Sequence, residues 1–155
     1  EGNARGMDTA RNFPTTFCSR KKIHQQPASE NETRALIRIF QEYGGRGLLV
    51  FCGYGKKVVY YRRDQNFSTD QRCYRLARHL KKCTRGKLEQ LAIEREAQNG
   101  RRSTGRPEQY YGEMIRQPAF RIELPVNSGN KEEEEREIRD LMLLPLEYIY
   151  SLVQL

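Results

Sequence analysis

The sequence predicts an α+β protein: a small sheet, built from a hairpin over 47–62 and open to a third strand at 120–124, packed against four to five helices. Three observations predict it. Apolar residues recur at helical spacing after two serine-led cap patterns, two β-prone runs flank a glycine-containing link, and residues 120–124 alternate strictly between apolar and polar. With 155 residues, of which 37% are hydrophobic, the chain is long enough to bury one core. Its 31% charged content makes it wetter than an ordinary domain. No stretch approaches the ~20 apolar residues of a membrane helix, so no membrane association is expected.

Residues 1–28 are polar, lack periodicity and contain Pro14 and Pro27. They read as a flexible basic arm carrying Arg20, Lys21 and Lys22. An α+β basic domain is expected over 29–126, followed by an acidic linker and an apolar C-terminal helix over 127–155.

The first helix begins at Ser29-Glu30-Asn31-Glu32, a capping-box pattern in which serine and glutamate satisfy free backbone N–H groups reciprocally. Leu36, Ile39, Phe40 and Tyr43 follow on one face, and Gly44-Gly45 stops the helix. The hairpin comes next, with Gly53-Tyr54-Gly55-Lys56 as the turn between two β-prone runs. Lys56 and Lys57 place positive charge at that turn.

Ser68-Thr69-Asp70-Gln71 starts a second helix. Cys73, Leu76, Ala77, Leu80 and Cys83 form its buried stripe, while Arg72, Arg75, Arg78, His79, Lys82 and Arg85 fall on the opposite side of the wheel. Such like-charged neighbours repel in an isolated helix, and a phosphate backbone would neutralise them and release counterions. The structural alternative is that Glu132 to Glu135 of the same chain cover this face.

A third helix is expected at about 87–98, giving a helix-turn-helix resemblance with the basic helix in first rather than second place. Arg101, Arg102 and Arg106 lie in the loop that follows. Gly105-Arg106-Pro107 resembles the core of the AT-hook, a minor-groove peptide, with Thr104 where that core has arginine. A short helix over 108–116 precedes the alternating strand Phe120–Leu124, which Pro125 would restrict to an edge or an end of the sheet. In the C-terminal helix Ile138, Leu141 and Met142 share a face, and Leu146, Ile149 and Leu152 extend the apolar surface. An apolar helix of this kind either completes the core or pairs with another chain.

Charge divides the chain. Residues 1–107 hold 23 Lys and Arg against 10 Asp and Glu, and residues 108–155 hold 5 against 10. The leading expectation is a non-catalytic nucleic-acid-binding protein, or one that binds another acidic partner. Its contacts would be Lys56, Lys57, Arg72, Arg75, Arg78, His79, Lys82, Arg85, Arg101, Arg102 and Arg106. The alternative is an assembly subunit, homo-oligomeric or bound to a protein partner through Ile138, Leu141, Met142, Leu146, Ile149 and Leu152. A second alternative is a secreted basic factor whose Cys18, Cys52, Cys73 and Cys83 form two disulfides.

The absence of a charged start followed by an apolar run favours an intracellular setting, cytoplasm or nucleus. No nucleophile-elbow, phosphate-loop or paired-carboxylate signature occurs, and no catalytic residue or cofactor is expected. A zinc site is excluded for Cys73 with Cys83, which a helix would hold roughly 15 Å apart. Only His79 with Cys83, completed by Cys52 or Cys18, could share an ion.

Overall fold

A computed structural model describes residues 3–15, 26–52, 57–61, 67–83, 92–96, 105–123, 130–141, 146 and 149–150. Its helices are α1 (Asn31–Tyr43), α2 (Phe67–Cys83), α3 (Pro107–Met114) and α4 (Lys131–Leu141). Its strands are β1 (Leu48–Cys52), β2 (Lys57–Tyr61), β3 (Ala92–Glu96) and β4 (Ala119–Glu123).

The sheet overturns the expected fold. The strand order is β1-β4-β2-β3, so β1 and β2 do not pair and there is no hairpin over 47–62. β4 runs parallel to β1, with Leu48 opposite Ala119 and Cys52 opposite Glu123. It runs antiparallel to β2, with Lys57 opposite Glu123. β2 pairs in parallel with β3. The sheet is therefore mixed, and the strand expected at an edge is internal. The physical reason is burial. Ala119, Phe120, Arg121 and Ile122 are all buried, and a strand covered on both faces needs a neighbour on each side.

The helical expectation fails as well. Residues 92–96, expected within a helix, form β3, and the helix-turn-helix resemblance goes with it. Pairing with β2 overrides the helix propensity of Ala-Ile-Glu-Arg-Glu. Nor is the sheet packed against four to five helices. Among the described residues the substantial helix–sheet contacts are those of α3 with β1, β2 and β4, and of α2 with β2.

Part of the segment read as an arm packs into the body. Phe13 is buried, stacks on Phe40 at 6.3 Å and meets Tyr110 at a tilt at 5.8 Å, while Phe40 meets Tyr111 edge-on at 5.2 Å. The Phe13 N–H donates to the Gly105 carbonyl at 2.8 Å. Asn12 anchors the start of α1. Its amide donates to the Gln26 carbonyl and the Ser29 hydroxyl, both at 3.1 Å, and its Oδ1 accepts from the Glu30 N–H at 3.2 Å. These bonds replace the expected capping box: Glu30 is the N-cap residue, without a side-chain cap bond. Its carboxylate accepts instead from Asn3 at 2.6 Å and from Ser29 at 2.9 Å. Those two hydrogen bonds hold the carboxyl below its usual range.

α1 is also rotated relative to its expected core face. Thr33 is buried and Phe40 half-buried, whereas Leu36, Ile39 and Tyr43 are exposed. Gly44 and Gly45 end the helix with positive φ, at 64° and 66°. At Gly45 a Cβ would stand 2.8 Å from the Tyr111 hydroxyl. That hydroxyl donates to the Gly44 carbonyl and accepts a backbone hydrogen bond from Gly47, joining α3 to the link between α1 and β1.

Candidate functional site

β1 and β4 end side by side, so Cys52 and Glu123 share a register position at the carboxyl ends of two parallel strands. Open sheets with parallel strands bind ligands at this end. Strand alternation puts Ala119, Arg121 and Glu123 on one face of β4 and Phe120 and Ile122 on the other. α3 supplies Glu108 to the first face from its first turn, where Pro107 presets the helical φ.

Arg121 bridges two carboxylates. Its Nη1 donates to Glu108 Oε1, and its Nε donates to Glu123 Oε1 at 2.9 Å. The Glu108 side chain is 1% exposed and that of Arg121 is 9% exposed, so neither charge would persist there without the other. The second Glu108 oxygen, Oε2, is buried and has no hydrogen-bond partner among the described residues. Cys52 is a half-buried thiol close enough to Arg121, Glu123, Arg106 and Glu108 to feel their charges. Burial pushes its pKa up, outweighing the opposing pull of Arg121, and keeps the sulfur protonated at neutral pH. Arg106, the residue before α3, is half-buried and makes no ion pair among the described residues. The cluster thus offers a guanidinium, a carboxylate and a thiol at one rim of the sheet.

The expected basic residues divide between places. Arg72, Arg75, Arg78 and His79 are exposed on α2, opposite buried Cys73, Leu76 and Ala77. Lys82 belongs to the same helix. Lys57 opens β2 in backbone register with Glu123, and Arg106 acts electrostatically on Cys52, so neither position belongs to α2. Lys56, Arg85, Arg101 and Arg102 lie outside the described residues. Of the expected docking residues, Ile138, Leu146 and Ile149 are exposed and Leu141 ends α4, whereas Met142 and Leu152 lie outside the described residues.

No group of three His, Cys, Asp or Glu among the described residues is placed to hold a metal ion. No helix among the described residues is long and apolar enough to cross a membrane.

The strand-end cluster was missed in the sequence. The available signal was the alternation of residues 120–124, which puts Arg121 and Glu123 on one face. Two charges on one face of an internal strand require partners, a requirement that an expected place at an edge or an end does not impose.

Two solved structures share this fold. The structure is similar to that of bovine thrombin-activatable fibrinolysis inhibitor in complex with tick carboxypeptidase inhibitor, at a TM-score of 0.75 and 14% identity over 96% of this chain. It is similar to a second thrombin-activatable fibrinolysis inhibitor structure at a TM-score of 0.70 and 17% identity, again over 96% of this chain. The chain spans 57% and 42% of those two proteins, so the likeness covers about half of each. No family model and no curated protein matches the sequence.

Proposed function

We propose that the chain is a peptide-binding module on a carboxypeptidase-like fold, taking the carboxyl end of a peptide at the rim where β1 and β4 finish. The observation that carries this reading is the position of Cys52, Arg106, Glu108, Arg121 and Glu123 at the carboxyl ends of two parallel strands. It is supported by a fold that follows bovine thrombin-activatable fibrinolysis inhibitor across 96% of the chain, in a structure where that protein is in complex with tick carboxypeptidase inhibitor.

In this reading Arg106 receives the terminal carboxylate, since its guanidinium has no ion pair among the described residues. Glu123, whose side chain is 18% exposed, accepts a peptide N–H while Arg121 holds it in place. Arg121 itself is committed to Glu108 and Glu123. Hydrolysis is not part of the proposal. Among the described residues the charges acting on Cys52 include no histidine that could serve as its base, and burial holds the thiol protonated.

Calorimetric titration with short peptides tests the reading. Peptides with a free carboxyl terminus should bind about tenfold more tightly than their amides, the scale of one charge-assisted hydrogen bond. Arg106→Ala should bring both forms to the weaker value. Equal binding of the two forms, or binding of neither, rejects the proposal. Mass spectrometry of the same mixtures should show intact peptides, and loss of the terminal residue would replace binding with catalysis as the role.

A second reading, assembly through the C-terminal segment, is favoured by Ile138, Leu146, Ile149 and Tyr150, which are 49%, 66%, 58% and 60% exposed. Light scattering should then report a larger mass for the full chain than for one truncated before Ile138. Equal mass per chain in both would exclude self-assembly by this route.

A further inference from the structure

We infer that the outward face of α2 is a docking surface for single-stranded nucleic acid, separate from the strand-end cluster. Arg72, Arg75 and Arg78 are three residues apart, so each guanidinium stem leaves the helix about 4.5 Å of axial rise after the last. All three are exposed, as is His79 beside them. The opposite side of the helix is committed to the interior, with Leu76 and Ala77 fully buried and Cys73 nearly so. The cationic face is therefore fixed outward by packing. No ion pair among the described residues involves Arg72, Arg75, Arg78 or His79.

Glu132 and Glu135 of α4 are themselves exposed, and no ion pair among the described residues joins them to α2. A row of like charges with no ion-pair partner among the described residues is complementary to a polyanion, and the arginine fork matches phosphate in two-point geometry.

Tyr74 distinguishes nucleic acid from other polyanions. The residue is 45% exposed, and on the helical wheel it lies next to Arg78 at the margin of the cationic face. An unpaired base can stack on such a ring while the neighbouring phosphates meet the arginines. A sulfated polysaccharide has no π-face to stack and gains less from the ring. The surface thus suits phosphate backbone and one or more splayed bases, without base-edge recognition.

Fluorescence anisotropy with a labelled oligothymidylate tests the inference. Binding should weaken with added salt, the logarithm of affinity falling with a slope of about −2, since each single-strand phosphate neutralised contributes ~0.7. The triple substitution Arg72→Glu, Arg75→Glu, Arg78→Glu should lower affinity at least a hundredfold. The corresponding triple glutamine variant, which removes charge without reversing it, should lower it at least tenfold. Both should keep the parent circular dichroism spectrum, because the substituted side chains are exposed. Tyr74→Ala should weaken oligothymidylate binding about tenfold and leave heparin binding unchanged. Unaltered affinity in either folded arginine variant overturns the inference. So does an oligothymidylate affinity that Tyr74→Ala leaves intact, which would mark the face as a general anionic-polymer surface.

Discussion

Glu108 and Arg121 form an ion pair that is almost completely withdrawn from water, with side chains 1% and 9% exposed. They come from different elements, α3 and β4, so the pair fixes the helix over the strand ends. Removing one partner leaves the other charge buried and alone, which costs about 3–5 kcal/mol, whereas replacing both with apolar groups of similar size is far milder. Arg121→Met should accordingly lower the denaturant midpoint severely. The double variant Arg121→Met with Glu108→Leu should recover more than half of that loss. Additive losses in equilibrium unfolding would show that the two groups are not coupled.

A second prediction concerns Gly45 and Tyr111. The left-handed backbone at Gly45 disfavours any side chain, and a Cβ there would stand 2.8 Å from the Tyr111 hydroxyl. Gly45→Ala should destabilise by about 1–3 kcal/mol. Tyr111→Phe removes the hydroxyl's hydrogen bond to the Gly44 carbonyl and should cost about 1 kcal/mol. In the Tyr111→Phe background the steric share of the Gly45→Ala cost disappears and the backbone share remains. A thermal double-mutant cycle therefore should give a combined loss smaller than the two single losses together.

The third prediction follows from Cys52. Burial raises its thiol pKa above the ordinary value of 9.0, so at neutral pH it should react with iodoacetamide more slowly than a free cysteine. Peptide mapping after timed alkylation measures this site by site. The sign of the linked stability is fixed. The folded state holds its proton to higher pH than the unfolded state does, so the contribution is complete below the unfolded pKa and is lost as pH rises through the folded value. Cys52→Ser should therefore flatten the decline of the unfolding midpoint above pH 9. An equally steep decline in that variant would assign the alkaline loss to other groups.

How much of this was legible in the sequence differs from element to element. Residues 47–52, 58–61 and 120–124 read as strand, each within a residue or so of the observed bounds, because β propensity and period-two alternation are local properties. Their order did not, because it depends on partners far away in the chain. The short glycine-containing link suggested a hairpin, yet strands one place apart in a sheet are separated by about 10 Å, which the same link can cross. The amphipathic pattern of α2 was legible down to which residues lie outside, since Cys73, Leu76 and Ala77 face in and Arg72, Arg75 and Arg78 face out. The strand-end cluster was not. Cys52, Arg106, Glu108 and Glu123 meet only through the β1–β4 register and the placement of α3.

The strand order also has a temporal side. β1 and β2 leave a gap that only Ala119–Glu123 can fill, and that strand is made long after both of them. Until it arrives, each presents a row of unsatisfied backbone groups toward the vacant position. During synthesis the nascent chain therefore passes through a stage in which two prefabricated edges wait for their mutual neighbour. Any stranger with a free extended segment could occupy that slot first. Delivery of the stretch around Phe120, rather than early formation of β1 or β2, completes the sheet.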